Sequence, residues 1–283
     1  MHKQGGIMAY ADNVFIENCK DILANGSWDR GHNVRTRWDD GAMAHTIKQF
    51  GVVNRYDLSK EFPALTLRRL PIKSCIAEIL WIWQKKSNNV NQLDARIWDA
   101  WADEEGTIGK AYGYQLGIKH KYAEGDFDQV DRILYDLKHN PSSRRIMTNI
   151  YNHADLHAMS LYPCAYSMTY NVKDGVLNGI LNQRSADFLT ANNWNVCSYA
   201  ILLHMFAQVS GLVAGELVHV ISDAHIYDRH VEIVEELIER EPRPAPQLII
   251  NPDIKNFYDF TVDDFALENY KPHPFKTKIP VAI

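Results

Sequence analysis

The sequence predicts an α+β protein, a single domain in which helices flank a twisted mixed β-sheet. Three observations carry this. Apolar segments of helical and of strand period alternate without a regular βαβ rhythm. No internal repeat, low-complexity linker or composition break divides the 283 residues, a length that one large core can serve. In mid-chain, Lys173-Asp174-Gly175 is a hairpin signal between two β-rich runs, and an apolar helix follows closely.

Each element has its own reason. From Tyr10 to Asn25, Val14, Phe15, Ile22 and Leu23 give one apolar side, and Gly26 ends the helix. Asn25 to Gly41, rich in Gly, Asn, Asp and Arg, reads as a loop, and Ala44 to Leu58 as strand crossing Gly51. Phe62 to Arg69 is a loop before a helix over Pro71–Gln84, where Ile72, Cys75, Ile76, Ile79, Leu80 and Trp83 keep the helical period. Asp103 to Gly113 is a loop. A helix is expected over Asp126–Asn140, stopped by Pro141, and then a strand over Ile146–Tyr151. Cys164 to Leu189 is read as two antiparallel strands, and Val196–Val209 as a buried helix with Asn195 at its N-cap. Glu216–Ile221 is a strand, Val231–Glu239 an amphipathic helix, and Gln247–Asn251 the last strand. The apolar tail Pro280-Val281-Ala282-Ile283 is expected to dock rather than fray. Met1 to Ile7, polar and glycine-containing, are left out of the domain, which is set at 8–283.

Composition narrows the function classes. Thirty Lys and Arg against 35 Asp and Glu leave a net charge of −5, which offers nucleic acid no general attraction. The clusters Arg35/Arg37, Arg68/Arg69, Lys119–Lys121 and Arg144/Arg145 suit small anions, or are solvated surface. No apolar run approaches a membrane span. The four cysteines form no CxxC pair and read as free thiols of a cytoplasmic protein. His219, Asp223, His225 and His230 match no zinc spacing, so no metal is expected. No GxGxxG or GxxxxGK[ST] is present.

The stretch from Leu161 to Tyr227 concentrates the chemistry. Cys164 is an inert small hydrophobe unless a cation lowers its pKa, and Arg184 on the paired strand is the local candidate. Strand alternation puts Gln183 and Ser185 on one face and Arg184 on the other, so a shared pocket requires a bulge or strong twist. His225 and Tyr227 suit hydrogen bonds to a sugar hydroxyl. Glu78 falls on the apolar face of its helix and needs either a structural partner or a ligand. Trp98 and Trp101 are core aromatics or a flat wall for a stacked ring.

These residues stand in an order that resembles the thymidylate synthase family over nearly the whole chain, from about Val14 to Ile283. The carrying stretches are Phe62-Pro63 with Thr66, Glu78-Ile79-Leu80-Trp81, Ile97 to Glu104 and Arg144-Arg145. Further on they are Pro163-Cys164, Gln183 to Asp187, Asp223 to Tyr227 and the terminal Pro280 to Ile283. The resemblance implies a homodimer packed sheet to sheet and conversion of dUMP to dTMP. The folate 5,10-methylenetetrahydrofolate would supply the one-carbon unit and the hydride and leave as dihydrofolate. It implies Cys164 as the nucleophile on C6 of the uracil, with Glu78 and Tyr112 in proton transfer. Asn195 would read the uracil edge, and His225 and Tyr227 the ribose. Gln183, Arg184, Ser185 and Arg35 or Arg37 fall to dUMP, with Arg144 and Arg145 reaching the phosphate from the other subunit. Trp98, Trp101, Asp187, Ala282 and Ile283 fall to the folate, the last two in a closing tail.

Departures from the family pattern are local. Ala165 follows the nucleophile in place of the usual His, and Asn193-Trp194 replaces Pro-Phe before Asn195. The family's Arg-Thr-Gly-Thr-Gly phosphate loop is absent, Arg35-Thr36-Arg37 instead preceding a stretch a few residues longer than usual. Ala191 and Ser222 stand where glycines are customary. A deoxyuridylate hydroxymethylase would quench the same methylene intermediate with water, and Trp98 with the apolar tail argues against it. A binding regulator without catalysis is disfavoured by Cys164 and Glu78.

Overall fold

The computed structural model describes residues 8–283; the expectation for Met1 to Ile7 lies outside them. In chain order the elements are α1 (Tyr10–Asn25), β1 (Ser27–Trp28), β2 (Thr46–Asp57), α2 (Ile72–Trp83), α3 (Gly113–Gly117), β3 (His120–Tyr122) and β4 (Gly125–Phe127). Then come α4 (Gln129–His139), β5 (Met147–Asn149), β6 (Ala165–Lys173), β7 (Val176–Gln183), β8 (Ala186–Asp187), α5 (Asn192–Val209), β9 (Val213–Tyr227), α6 (Val231–Ile238), β10 (Gln247–Ile250) and β11 (Phe265–Glu268). Of the short 3₁₀ stretches between them, the one that bears on the site covers Arg96–Trp101.

One mixed sheet dominates, with strand order β1-β2-β9-β7-β6-β5 and β8 paired to β9. β2 runs antiparallel to β9 in unbroken register from Thr46 opposite Tyr227 to Asp57 opposite Glu216. Gly51 lets it pass with φ at 76°, a backbone state that costs other residues. β7 and β8 are parallel to β9, whereas β6 is antiparallel to β7. The hairpin between β6 and β7 turns on Asp174 and Gly175, both with positive φ, which is the two-residue turn that matches strand twist.

This topology decides where a site can form. The C-terminal ends of β7, β8 and β9 share one edge of the sheet, and the starts of β6 and β2 join them there because those strands run the other way. Ligands gather at the carboxyl ends of parallel strands. One face of the sheet is covered by the buried helix α5, against which α2 packs, and Leu203 of α5 lies so close to Gly179 that a Cβ there would stand 3.2 Å from it. The other face carries a row across five strands: Arg55, Val218, Ile180, Thr169 and Met147. On that face Val53, Ile180 and Met147 are exposed at 55%, 40% and 50%.

Several expectations need correction. Asn195 is not the N-cap: α5 begins at Asn192, and the Asn195 N–H donates to the Ala191 carbonyl at 2.9 Å as an internal residue of the first turn. Asp126 and Phe127 belong to the β3–β4 hairpin, so α4 starts later, capped by the Asp128 side chain on Asp131 N–H. The second central strand stops at Gln183; Ala186 and Asp187 pair with β9 instead of β6. β9 extends well beyond Glu216–Ile221. Gln247–Ile250 is not the last strand, since β11 pairs with it. Pro71 sits at the N-cap of α2 rather than inside its first turn.

Candidate active site

Cys164 precedes β6 at the edge where the strand ends converge, and a register shift between Ala165 and Ser167 bulges the strand just behind it. The bulge, with the break in pairing after Gln183, brings Arg184 to the same side as Cys164. The Arg184 guanidinium donates to the Tyr162 and Pro163 carbonyls at 2.7 and 3.0 Å and lies 3.7 Å from the Cys164 sulfur. Gln183 does not join them. It is buried, its amide oxygen accepts from His219 Nε2 at 2.8 Å and its amide nitrogen donates to the Ser185 carbonyl, so it braces the turn from within. Ser185 is half-buried in that turn.

Of the four thiols, Cys164 alone is not fully buried; Cys19, Cys75 and Cys197 are core groups whose thiols burial pushes up. Burial also raises Cys164, opposed by Arg184, Tyr112 and Arg35 in that order. The cations acting on this sulfur are thus Arg184 and Arg35. Arg144 and Arg145 are exposed three and two residues ahead of β5, whose Met147 faces Thr169, far along β6 from Cys164. At about 3.3 Å per strand residue they lie on the order of 20 Å from their own chain's sulfur.

Tyr112 has φ at 47°, a strained state for a bulky residue that persists because both sides hold it. Its hydroxyl accepts the Cys164 backbone N–H at 3.1 Å, and its ring lies 5.0 Å from that of Trp98. Burial pushes the phenol well up, so it keeps its proton. Trp98 also meets Trp101 (5.7 Å) and Trp81 (6.1 Å), which places the aromatic pair partly in the core, with Trp101 the half-buried member.

Among the described residues, Glu78 has no cationic partner. Its two oxygens accept from two indoles, Oε1 from Trp98 at 2.8 Å and Oε2 from Trp194. Burial pushes this carboxyl up to about 7, with Trp194 and then Trp98 opposing. An acid poised near neutrality suits proton transfer in either direction. Asn195 is half-buried one residue beyond Trp194.

At the far side of the edge, His225 faces Asp187 across β8 and β9 and its Nδ1 lies 2.8 Å from Asp223. Tyr227 packs against Trp38 and His230, and burial, with Asp187 nearby, pushes its phenol up to about 12. Asp187 accepts from Leu189 N–H, Thr190 N–H and the Thr190 hydroxyl. Burial works against its ionisation, but His230, His225 and Thr190 outweigh it and hold the carboxyl below the usual range. His230 also bonds the Pro280 carbonyl at 2.8 Å.

The loop before β2 separates its two arginines. Arg37 turns back on its own loop, donating to the Val34 and Thr36 carbonyls and to Asn33. Its backbone pairs with Ile283 in both directions at 2.8 and 2.9 Å, so the tail is docked on this loop with Ala282 half-buried. Arg35 is the one that acts on both Cys164 and Tyr227.

Sequence reasoning noticed Trp194 and His230 but gave neither a role at the site. The signal for Trp194 was present: a carboxylate on an apolar helix face needs donors, and a tryptophan beside a polar helix start has one to give. Among the described residues, no three His, Cys, Asp or Glu side chains gather as metal ligands, and no helix is long and apolar enough to cross a membrane.

Comparison with known proteins gives concordant matches. The profile of the family described as Thymidylate synthase matches residues 13–283. A thymidylate synthase from Bacillus subtilis subsp. natto is 46% identical over 281 residues, covering 98% of this chain and 100% of that protein. The thymidylate synthase of Bacillus phage phi3T matches with the same identity and coverage. The solved structure of the thermostable thymidylate synthase A from Bacillus subtilis superposes with a TM-score of 0.92 at 45% identity, covering 96% of this chain and 99% of that one.

Proposed function

The chain belongs to the thymidylate synthase family, and from that premise we propose how its residues divide the reductive methylation of dUMP to dTMP. The enzyme is a methyltransferase that takes its one-carbon unit and hydride from 5,10-methylenetetrahydrofolate. The observation that carries the assignment of roles is the meeting of Cys164, Arg184, Tyr112 and the Arg35 loop at one edge of the sheet.

The Cys164 sulfur adds to C6 of the uracil, because C5 gains carbanion character only once C6 is tetrahedral. Since burial holds the free thiol up, formation of the thiolate depends on the nearby cations Arg184 and Arg35, which oppose that burial. Arg184 and Ser185 hold the phosphate, with Gln183 bracing their turn rather than touching the nucleotide. Asn195 offers the uracil edge a donor and an acceptor at once. His225 and Tyr227 take the ribose. Glu78, near neutrality and held by two N–H groups, accepts or returns protons through water, and Tyr112 keeps a proton to give. Ionised Asp187 has lone pairs left for the N–H groups of a pterin, and Trp98 and Trp101 line its ring. Ala282 and Ile283 close over the pair and exclude water.

Between the two loop arginines, the phosphate falls to Arg35. Arg35→Ala is expected to weaken dUMP binding by about 10- to 100-fold, the range for a lost hydrogen bond to a charged group. Arg37→Ala should weaken it much less. Equilibrium dialysis with dUMP checks this, and an equal or reversed order would reassign the phosphate.

A homodimer packed through the open sheet face fits the exposed apolar side chains of Val53, Ile180 and Met147 on it. A second copy would cover those apolar groups. Arg144 and Arg145 stand at the rim of this face, distant from their own Cys164, and so serve the partner's phosphate. The test of the reaction itself is spectrophotometric: dihydrofolate should appear only when both dUMP and methylenetetrahydrofolate are supplied. Hydroxymethyl-dUMP by mass spectrometry, with no dihydrofolate, would overturn hydride transfer.

A further inference from the structure

We propose that Trp194 is a positioning residue for Glu78, tying the carboxylate to the same helical turn that presents Asn195 to the uracil. The proposal rests on the division of roles given above. Glu78 lies midway along α2 and is 8% exposed. Each of its oxygens accepts one indole N–H, from Trp98 on the 3₁₀ stretch and from Trp194 on the first turn of α5. Two donors on different oxygens fix the carboxylate plane, because rotation about its terminal bond would break both contacts.

Trp194 is itself held twice against α2. Its side chain reaches Glu78, and its backbone carbonyl accepts from the Cys75 thiol at 3.5 Å, one turn before Glu78. The neighbouring Asn193 adds a third tie, since its amide donates to the Pro63 carbonyl and accepts the Leu65 N–H. The turn that carries Asn195 is therefore pinned to α2 and to the loop before it, and the distance between acid and uracil reader is set by this staple. The other titratable groups that face Glu78 are Cys75 on α2, Tyr112 before α3 and Tyr199 on α5. None is cationic, so the two indoles are what stabilise the anion. An indole can donate but not accept, so the pair favours the carboxylate over the acid.

Trp194→Phe keeps the apolar ring and deletes the N–H. dUMP binding should stay within about threefold, while kcat falls on the order of 10- to 100-fold, as for a catalytic group displaced by a fraction of an ångström. Losing a donor to the anion raises the Glu78 pKa. The acid limb of the kcat profile, and the infrared band of the protonated carboxyl lost in Glu78→Gln, should move up by about one to two pH units. A folded Trp194→Phe enzyme with both profiles unmoved would overturn the proposal.

The wild-type enzyme offers a check that survives a misfolded variant. With 15N-labelled tryptophan, two of the seven indole N–H signals should titrate together, and both should stop doing so in Glu78→Gln. A single titrating signal would overturn the proposal equally. If no dTMP forms at all, the functional reading fails while the paired titration still reports the contact. If dTMP forms and the pair does not titrate, only this inference fails.

Discussion

Cys164→Ala is expected to remove turnover by at least about 10⁴-fold, the scale on which enzymes lose activity when their nucleophile is deleted. The chain has no substitute, because Cys19, Cys75 and Cys197 are sealed in the core. dUMP binding should remain within a few-fold of wild type. Arg184 is oriented by the backbone carbonyls of Tyr162 and Pro163, which the substitution leaves in place. Steady-state turnover and equilibrium dialysis on the same preparation check the two halves. Turnover above about 1% of wild type would remove covalent addition from the mechanism. The wild-type rate should also fall as pH drops, because a thiol already raised by burial becomes harder to ionise.

Mixing two inactive variants should restore activity. In the proposed homodimer, Arg145→Ala subunits keep Cys164 but lack the arginine assigned to the partner's phosphate, and Cys164→Ala subunits have the reverse defect. In a 1:1 mixture that exchanges freely, half of the dimers are hybrids, and each hybrid has one complete site. The mixture should therefore recover about a quarter of wild-type activity through the isologous interface. The check is an activity assay before and after unfolding and joint refolding, with hybrids counted by native mass spectrometry. Hybrids present without activity would place Arg145 outside the site.

Much of the architecture was legible because local signals agreed with tertiary fate. Tyr10–Asn25 had its apolar period and a terminal glycine, and it is a helix over those same residues. Asp174-Gly175 supplied the positive φ angles that a tight hairpin demands. Where sequence misled, a non-local partner had decided. Ser222, Asp223 and His225 are too polar to read as strand, yet β2 and β8 pair with them and extend β9 to Tyr227. Asn195 looks like a cap because Val196 begins the apolar run, but Asn192 and Asn193 are already helical and buried, with the Asn193 amide satisfied by Pro63 and Leu65. The site was legible in its residue types and less so in its partners. That Glu78 would meet two indoles, and that Arg35 rather than Arg37 would act on Cys164, depends on packing between segments far apart in the chain.

The pairing of β2 with β9 has a consequence for how the protein is made. Ile47 must find Ile226, and a ribosome adding roughly 5–20 residues per second takes about 9–36 s to supply the roughly 180 residues between them. Throughout that interval the nascent chain exposes a strand edge bearing Phe50 and Val53 with no central neighbour. Contacts this distant are late in folding, so the catalytic edge is the last part to assemble. Chains stalled before Tyr227 would carry an unpaired template for aggregation, and they are the species a holding chaperone would meet.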